Sequence, residues 1–214
     1  MVKIIADYDI LQNFIDSLPD LLVGECYYVS LFVRKKYWKE APLTASDKRQ
    51  LRRLTTSKEG LLHKLEQLET TYRIKGVEIP QEAVVPYISI NPRSLVEASK
   101  KSAIKLVDLL TKPYNGYNPH EEVLSEIHKA CSRKIYVDFD FDLPYSEDIW
   151  LPNREAVRIL ITKNGFHVLV EPKKIADEFK KTWYKTLAEC SDVKGDNLIP
   201  IPGCYQAGFM PYFL

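Results

Sequence analysis

The sequence predicts an α+β fold in which largely antiparallel sheets are flanked by helices. Short apolar runs rich in β-branched and aromatic residues, typical of strands, occur in both halves of the chain. Other stretches repeat their apolar residues at helical spacing. The two kinds of stretch do not alternate strictly, which argues against a parallel sheet of βαβ units. With 214 residues, we expect a single domain over 1–214, with an N-terminal α/β part over 1–130 and a second part over 131–214.

The first half of the chain is expected to contain one helix, two strands and several further helices. In chain order they are a helix in DILQNFIDSL, a strand in CYYVSLFVRKKYW, one or two charged surface helices in SDKRQLRRLTTSKEGLLHKLEQLETTYRI, a strand in VVPYISINPRS, and helices in LVEASKKSAIKLVDLLTK and HEEVLSEIHKACS. Leucines such as Leu51 and Leu54 recur at helical spacing, which predicts the surface helices. An Asn-Pro pair ends the second strand, and Ser94 is expected to cap the helix that follows.

The second half is expected to begin with a strand in KIYVDFDFDLP and to continue with a β-hairpin. The hairpin strands EAVRILITK and FHVLVEP are joined by Asn164-Gly165, the strongest short signal for a two-residue turn. A turn at those two residues places Thr162 opposite His167. The stretch KKIADEFKKTWYKTLAE has apolar residues every four positions, which predicts a helix. The tail is punctuated by Pro and Gly, so we expect a loop and a short strand packed on the core.

The overall charge does not indicate a partner, because 30 lysine and arginine residues stand against 29 aspartate and glutamate residues. The four cysteines are far apart and form no C-x-x-C pair, which disfavours a zinc ribbon and a secreted disulfide framework. The first residues carry acids and lack an apolar core of signal-peptide length, and no apolar run approaches a membrane span. We therefore expect a cytoplasmic protein that does not contact a membrane.

Asp138, Asp140 and Asp142 lie in a stretch that otherwise has the composition of a strand, although aspartate is a poor strand former. Strand side chains alternate faces, so these aspartates point away from the apolar residues between them. Neighbouring side chains on one face are about 6–7 Å apart, and two carboxylates at that spacing can converge on divalent cations. A solvent-facing strand whose acids are simply hydrated is the alternative.

The hairpin offers groups that suit a phosphate ligand. Thr162 and His167 are expected on one face, with Lys163 at the turn, and their hydroxyl, imidazole and ammonium groups can bind phosphate oxygens. Gly165 lacks a Cβ, so a ligand could approach the backbone there.

Three stretches, IYVDFD, GFH and SDVKGDNLIPIPGCYQAG, occur in a suggestive order. The first contains a hydrophobic residue followed by two aspartates with one hydrophobic residue between them. The second has a small residue two positions before a His on a strand hairpin, and the third has an Asp and a basic residue before a Pro-Gly loop. In this order the stretches resemble the archaeo-eukaryotic primase superfamily, including the primase-polymerases of plasmids and viruses. The resemblance covers the part of the chain from the aspartate strand onward.

The resemblance implies an RRM-like primase catalytic core and template-directed nucleotidyl transfer in DNA replication or repair. A 3′-hydroxyl would attack the α-phosphate of a nucleoside triphosphate on a single-stranded DNA template, with Mg²⁺ or Mn²⁺ as the cofactor. The implied metal ligands are Asp138, Asp140 and Asp192, and His167 would contact the triphosphate. Helicase or replication proteins are the implied partners, and a prokaryotic, plasmid or phage origin is expected.

Further residues are assigned by the same resemblance or by their charge. The nucleotide-binding residues are Lys163, Thr162, Gly165 and Lys194. The basic cluster Arg34, Lys35 and Lys36, together with Arg93, supplies candidates for contacts to the template backbone, and a solvated charge cluster is the alternative for each of them.

The sequence leaves other assignments open. Asp196 is an alternative third carboxylate, because the alignment that selects Asp192 needs a short insertion before LIPIPG. The second motif has Thr-Lys-Asn-Gly in place of a Ser-Gly-rich form, and the third has Cys-Tyr-Gln where the family often has Ser-x-His. These departures keep open a catalytically weak or inactive primase-like module that binds nucleic acid or protein. A metal-dependent nuclease or phosphotransferase that uses the same acids is a further alternative.

Overall fold

The structure is a computed structural model that describes residues 1–39, 41–42 and 48–214. The helices in this part of the chain are α1 (Tyr8–Ser17), α2 (Leu61–Glu66), α3 (Leu95–Leu110), α4 (Pro119–Lys129) and α5 (Trp183–Cys190). The strands are β1 (Glu25–Arg34), β2 (Lys48–Thr56), β3 (Arg73–Ile74), β4 (Val77–Glu78), β5 (Val84–Ser89), β6 (Arg93–Ser94), β7 (Val137–Phe141), β8 (Val157–Ile161), β9 (Phe166–Val170), β10 (Val193–Gly195), β11 (Leu198–Pro200) and β12 (Tyr212–Phe213).

Two antiparallel sheets dominate the fold, which confirms the predicted α+β class. Sheet I has the strand order β11-β5-β1-β2, and β6 pairs with the beginning of β1. Sheet II has the order β10-β7-β9-β8-β12. The short strands β3 and β4 form a separate ribbon. Each strand pair in these sheets is antiparallel.

The largest apolar core lies on one face of sheet I, under α1 and α2. Alternate residues of β1, including Tyr27, Val29 and Leu31, point into it. Leu160 and Leu169 of sheet II belong to the same core, so the two sheets share buried contacts. Because hydrophobic burial is the main favourable contribution to folding, this shared core fixes the two sheets against each other.

Two smaller cores cover the remaining sheet faces. Sheet II packs its other face, with Phe139 and Val168, against a cluster that includes Leu187 of α5. Tyr28 on the other face of sheet I packs with residues of α3 and α4. The Ser94 side chain accepts a hydrogen bond from the Glu97 backbone N–H at 3.1 Å, which confirms the predicted cap of α3.

The prediction of helix for the whole stretch around Leu51 and Leu54 was wrong, because Lys48–Thr56 forms strand β2. Its pairing with β1 shifts between Leu31 and Phe32, so Leu51 is an extra, bulged residue. The bulge lets both leucines pack against the largest core although they are three positions apart. Helical spacing therefore arises here on a strand. Two residues of that predicted segment, 46–47, lie outside the described part of the chain.

The predicted helix over KKIADEFKKTWYKTLAE is shorter than expected. Only Trp183–Cys190 is α-helical, and Pro172–Lys174 forms a 3₁₀ turn. Ile175 and Leu187 are both buried in the core of sheet II, so the apolar pattern does mark core residues.

In the described part of the chain, no helix is long and apolar enough to cross a membrane.

An ion pair fastens the segment before β7 to the start of sheet I. The Arg133 guanidinium donates to the two carboxylate oxygens of Glu25 at 2.8 and 2.7 Å, and the Leu22 backbone N–H donates at 2.8 Å. The Arg133 hydrogen bond is the main cause that lowers the pKa of Glu25 to about 2, against burial, which raises it.

This ion pair predicts a specific loss of stability in acid. The folded pKa of about 2 lies below the ordinary value of 4.5, so the contribution is complete above pH 4.5 and declines as the pH falls toward 2. Urea unfolding at pH 6 and pH 2.5 measures how far the free energy of unfolding falls between these two pH values. This fall should be about 1–2 kcal/mol smaller in Glu25→Gln than in the wild type. The difference is smaller than the full pKa shift would give, because Arg133 is partly in water. Equal declines in the two proteins would contradict this account of Glu25.

Candidate functional site

Strand β7 places two of the three aspartates on one buried face of sheet II. Asp138 lies opposite Leu169 and Asp140 lies opposite His167 on β9. The intervening Phe139 points to the other face, into the core under α5. The alternation predicted from the sequence is therefore confirmed, and it brings both carboxylates and His167 to the same side of the sheet.

The hairpin has a different register from the one expected. Ile161 pairs with Phe166, and the Thr162 N–H donates to the Gly165 carbonyl at 2.9 Å. The turn residues are therefore Lys163 and Asn164, not Asn164 and Gly165. The shift of two positions preserves the strand alternation, so Thr162 still shares a face with His167.

A chain of hydrogen bonds holds the centre of this face. Asp138 is fully buried, and one of its carboxylate oxygens lies 2.9 Å from His167 Nδ1. The other oxygen accepts a hydrogen bond from Asn197 Nδ2 at 3.0 Å. On its opposite side, His167 Nε2 lies 3.5 Å from an Asp140 oxygen. The imidazole is thus held between the two aspartates of β7.

Charge and burial shift the pKa values of Asp140 and His167. Burial raises the pKa of Asp140, His167 counteracts the shift, and the neighbouring carboxylates reinforce it. Burial lowers the pKa of His167, but the charge and hydrogen bond of Asp138, helped by Asp140, outweigh it and raise the pKa. The carboxylates around His167 thus act on both groups: they help to raise the pKa of Asp140 and favour the protonated imidazole of His167.

Asp140 and His167 line a cleft of about 460 Å³ between the two sheets. The wall formed by sheet II also includes Asp142, Thr162 and Asn164. The wall formed by sheet I includes Phe32, Arg34, Lys36, Tyr37, Lys48 and Tyr87. Carboxylates therefore lie on one wall, and basic and aromatic side chains lie on the other.

Polar contacts order the basic wall and connect it to the hairpin. An Arg34 guanidinium nitrogen donates to the Tyr87 hydroxyl at 3.0 Å. The Asn164 amide at the hairpin tip lies 2.8 Å from the Tyr37 hydroxyl. With its oxygen turned toward sheet I, the same amide accepts a hydrogen bond from Lys36 Nζ at 3.0 Å. Arg34 and Lys36 thus face the same cleft as Asp140.

The third carboxylate of the cleft is not the one selected by the alignment. Asp192 is exposed, and its carboxylate accepts a hydrogen bond from the Asp142 backbone N–H at 2.8 Å. Its neighbour Val193 is the residue that lies opposite Asp140, so alternation turns Asp192 toward the other face. Asp196 lines the cleft instead. The assignment of Asp192 as a metal ligand does not fit this geometry.

Asp196 is held in a buried polar cluster with Arg93 and Asn91. Arg93 is 1% exposed, and it forms an ion pair with Asp196 through two guanidinium nitrogens. Asn91 donates to the Asp196 carboxylate at 2.8 Å. The prediction of Arg93 as a template contact does not fit, because its guanidinium faces the protein interior.

Other predicted nucleotide contacts also have different roles. Lys194 lies opposite Phe139, on the face away from the cleft, and its Nζ donates to the Ala188 carbonyl at 3.1 Å. Lys163 Nζ donates to the Ala207 carbonyl and lies 4.7 Å from the centre of the Tyr37 ring. Neither Lys163 nor Lys194 is among the described residues that line the cleft.

Gly165 is required by packing and not by ligand access. A Cβ at this position would overlap the Phe141 carbonyl oxygen, and it would lie 3.0 Å from the Phe141 carbonyl carbon and 3.3 Å from Asp142 Cα. The absence of a side chain therefore lets the hairpin approach the end of β7. The expectation that a ligand uses this space was wrong.

The cleft offers few donors to a divalent cation. Among the described residues, no group of three or more His, Cys, Asp or Glu side chains is arranged to hold a metal ion. Asp138 uses both oxygens in hydrogen bonds, whereas the carboxylate of Asp140 is 35% exposed at the cleft. Mg²⁺ at nucleotide sites takes one or two carboxylates and completes its shell with phosphates and water. The donors fit that kind of site, with Asp140 as its first carboxylate.

Sequence reasoning missed several side chains that shape the cleft. Asn197 supports Asp138, Tyr87 supports Arg34, and Gln206 accepts a hydrogen bond from the Lys163 backbone N–H at 2.8 Å. Tyr87 belongs to no spaced motif. Asn197 and Gln206 lie inside the stretch SDVKGDNLIPIPGCYQAG, where Asn197 directly follows an acid that had already been considered and Gln206 ends the Cys-Tyr-Gln departure, but neither had been assigned a role.

A scan against protein-family models, a search of curated proteins and a search of solved structures each gave no match to this chain. What can be inferred about function therefore comes from the chain's own residues and their arrangement.

Proposed function

We propose that this protein is a metal-dependent nucleotidyltransferase of the primase type. The observation that carries the proposal is the placement of Asp140 and His167, with the buried Asp138 beside them on the same sheet face, on one wall of a cleft whose other wall holds Arg34 and Lys36. Such a cleft offers carboxylates for divalent cations and basic groups for phosphates, which are the parts that phosphoryl transfer needs. The proposed substrates are nucleoside triphosphates and a single-stranded DNA template.

The topology of sheet II supports an RRM-like interpretation of this half of the chain. Counted from β7, its strands β7, β8, β9 and β10 lie in the spatial order four-one-three-two. This is the order of a split βαβ sheet, and α5 follows the third strand as the second helix of such a unit would. The link from β7 to β8 contains a 3₁₀ turn at Arg154–Ala156 where the first helix would lie.

The proposed roles follow from the position of each group. Bound Mg²⁺ or Mn²⁺ would neutralise developing charge and align the attacking and leaving oxygens. Asp140, with Asp138 behind it, would hold the cation at the floor of the cleft. His167 Nε2 would contact a phosphate oxygen, and Arg34 and Lys36 would bind the remaining phosphate charge.

The proposal predicts that Asp140→Asn lowers nucleotide incorporation by about 100-fold or more, because it removes, at nearly constant shape, the negative charge proposed to hold the cation. The assay measures incorporation of labelled nucleotides on a single-stranded DNA template, with and without a primer, in Mg²⁺ and in Mn²⁺. Product in the wild type should disappear when the divalent cation is chelated.

The matched control is Asp177→Asn, because Asp177 is an exposed acid that pairs with Lys180 on the surface. This variant should retain wild-type activity. Equal product from wild type and Asp140→Asn would refute the proposed site. Release of labelled nucleotides from the DNA strand without added triphosphates would favour the nuclease.

A second candidate function is a primase-like module that binds nucleic acid or protein without catalysis. The observation that favours it is that both oxygens of Asp138 are engaged, so that no three-donor metal group exists among the described residues. For this module, single-stranded DNA should bind with equal affinity in wild type and Asp140→Asn, and neither protein should form product in either metal. Measuring binding and incorporation on the same preparations separates the two functions.

A further inference from the structure

We propose that Asn197 is a positioning residue that fixes the imidazole of His167 through Asp138. Three side chains from separate segments form the relay: Asn197 lies between β10 and β11, Asp138 on β7, and His167 on β9. Asn197 Nδ2 donates to Asp138 at 3.0 Å, and the other Asp138 oxygen lies 2.9 Å from His167 Nδ1. The inference rests on the proposed function, in which His167 contacts the triphosphate.

The burial of Asp138 gives the relay its physical meaning. A fully buried carboxylate is costly unless its oxygens are hydrogen-bonded, and here each oxygen has a donor from a different segment. An ionised carboxylate only accepts hydrogen bonds, so its two partners must present an Asn197 N–H and a His167 Nδ1–H. The carboxylate is thereby held in one orientation, and one imidazole proton is held on Nδ1 while Nε2 lies on the side of Asp140.

The hydrogen bond at Nδ1 determines which imidazole nitrogen of His167 is directed toward the cleft. His167 is largely buried, and its Nε2 lies on the side of Asp140, which lines the cleft. A polar partner behind a functional imidazole commonly sets both the ring orientation and the free nitrogen. In this protein, Asp138 is that partner and Asn197 sets Asp138. Asp138 thus acts at least as much through His167 as through a cation.

The substitutions Asn197→Ala and Asn197→Asp test the relay. The first removes the donor, and the second keeps the shape but replaces the donor with an oxygen. In the folded protein without metal or nucleotide, the hydrogen-bonded Nδ1–H of His167 should give a slowly exchanging proton signal, assigned by its absence in His167→Gln. Both Asn197 variants should make this proton exchange with solvent at least about 10-fold faster.

Kinetics supply a second measurement. If His167 contacts the triphosphate in the ground state and in the transition state alike, its misplacement should raise KM about 10-fold and leave kcat nearly unchanged. The matched control is Asn153→Ala, since the Asn153 side chain also joins two segments, through the Ala176 N–H and the Lys174 carbonyl, both at a distance from the aspartates in sequence. This control should alter neither the proton signal nor KM.

The outcomes separate this inference from the proposed function. Unchanged proton exchange in both Asn197 variants would overturn the relay, even if the wild type makes product. Faster exchange in the Asn197 variants, together with a wild type that forms no product, would support the relay and refute the nucleotidyltransferase. If an Asn197 variant also has a lowered Tm, its proton exchange is compared with that of Asn153→Ala, each protein being measured at the same interval below its own Tm. Faster exchange in the Asn197 variant under these conditions exceeds the effect of general loosening.

Discussion

Replacing Gly165 with alanine is expected to lower the free energy of unfolding by about 4 kcal/mol, at the upper end for single substitutions. The new Cβ would overlap the Phe141 carbonyl oxygen, and the atoms it meets belong to the backbone of Phe141 and Asp142, which cannot rotate away. The hairpin would have to move away from β7. Because Asp140 and His167 sit on the two separated strands, their contact at 3.5 Å should lengthen and nucleotide incorporation should fall as well.

Chemical denaturation monitored by tryptophan fluorescence measures this effect. The control is Gly116→Ala, where the glycine has a positive φ of 85° and a Cβ would meet no atom within 4 Å. Backbone strain alone should cost about 1 kcal/mol there. If Gly165→Ala lost no more stability than Gly116→Ala, the close approach of the hairpin to β7 would be disproved.

Replacing Arg93 with methionine is expected to lower the free energy of unfolding by about 3–5 kcal/mol, the range for breaking a buried ion pair from one side. Methionine preserves much of the buried volume but leaves the Asp196 carboxylate without its guanidinium partner. Asn91 would remain as a donor to that carboxylate, at 2.8 Å. Since Asn91 also accepts from the N–H groups of Ile135 and Tyr136, the approach to β7 should loosen with it.

A double-mutant cycle with Asp196→Asn isolates the pair. The double variant should regain about 2 kcal/mol relative to the sum of the single losses, because neither partner is then left as an uncompensated charge. An exposed pair provides the control: Lys100→Met, which removes a partner of Glu97, should change stability little. Strictly additive losses at Arg93 and Asp196 would show that the pair is not coupled.

Local sequence patterns were sufficient to predict that Asp138, Asp140 and His167 lie on neighbouring strands of the candidate site. The strand period of two placed Asp138 and Asp140 on one face, and the hairpin signal placed His167 on a paired strand. Both inferences need only neighbouring residues. The turn position was missed by one residue, and the pairing register by two, because Gly165 is selected by its contact with β7, a contact that local sequence does not reveal.

The rest of the cleft depends on pairing between distant segments. The face on which Asp192 lies follows from the register of β10 with β7, and the burial of Arg93 follows from its partner more than a hundred residues later. Neither relation leaves a spacing signature in the sequence. Arg34 and Lys36 were selected for their charge, but only the packing of sheet I beside sheet II places them across the cleft from Asp140.

The bulge in β2 makes the basic wall depend on chain length as well as on residue type. Beyond the extra Leu51, the side chains of Gln50 and Lys48 lie opposite Phe32 and Arg34, and Lys48 reaches the cleft. Loss or gain of one residue between the bulge and Lys48 would turn that ammonium group toward the opposite face while the composition stayed nearly constant. Descendant sequences that keep every basic residue but differ by one position here should therefore diverge in what they bind.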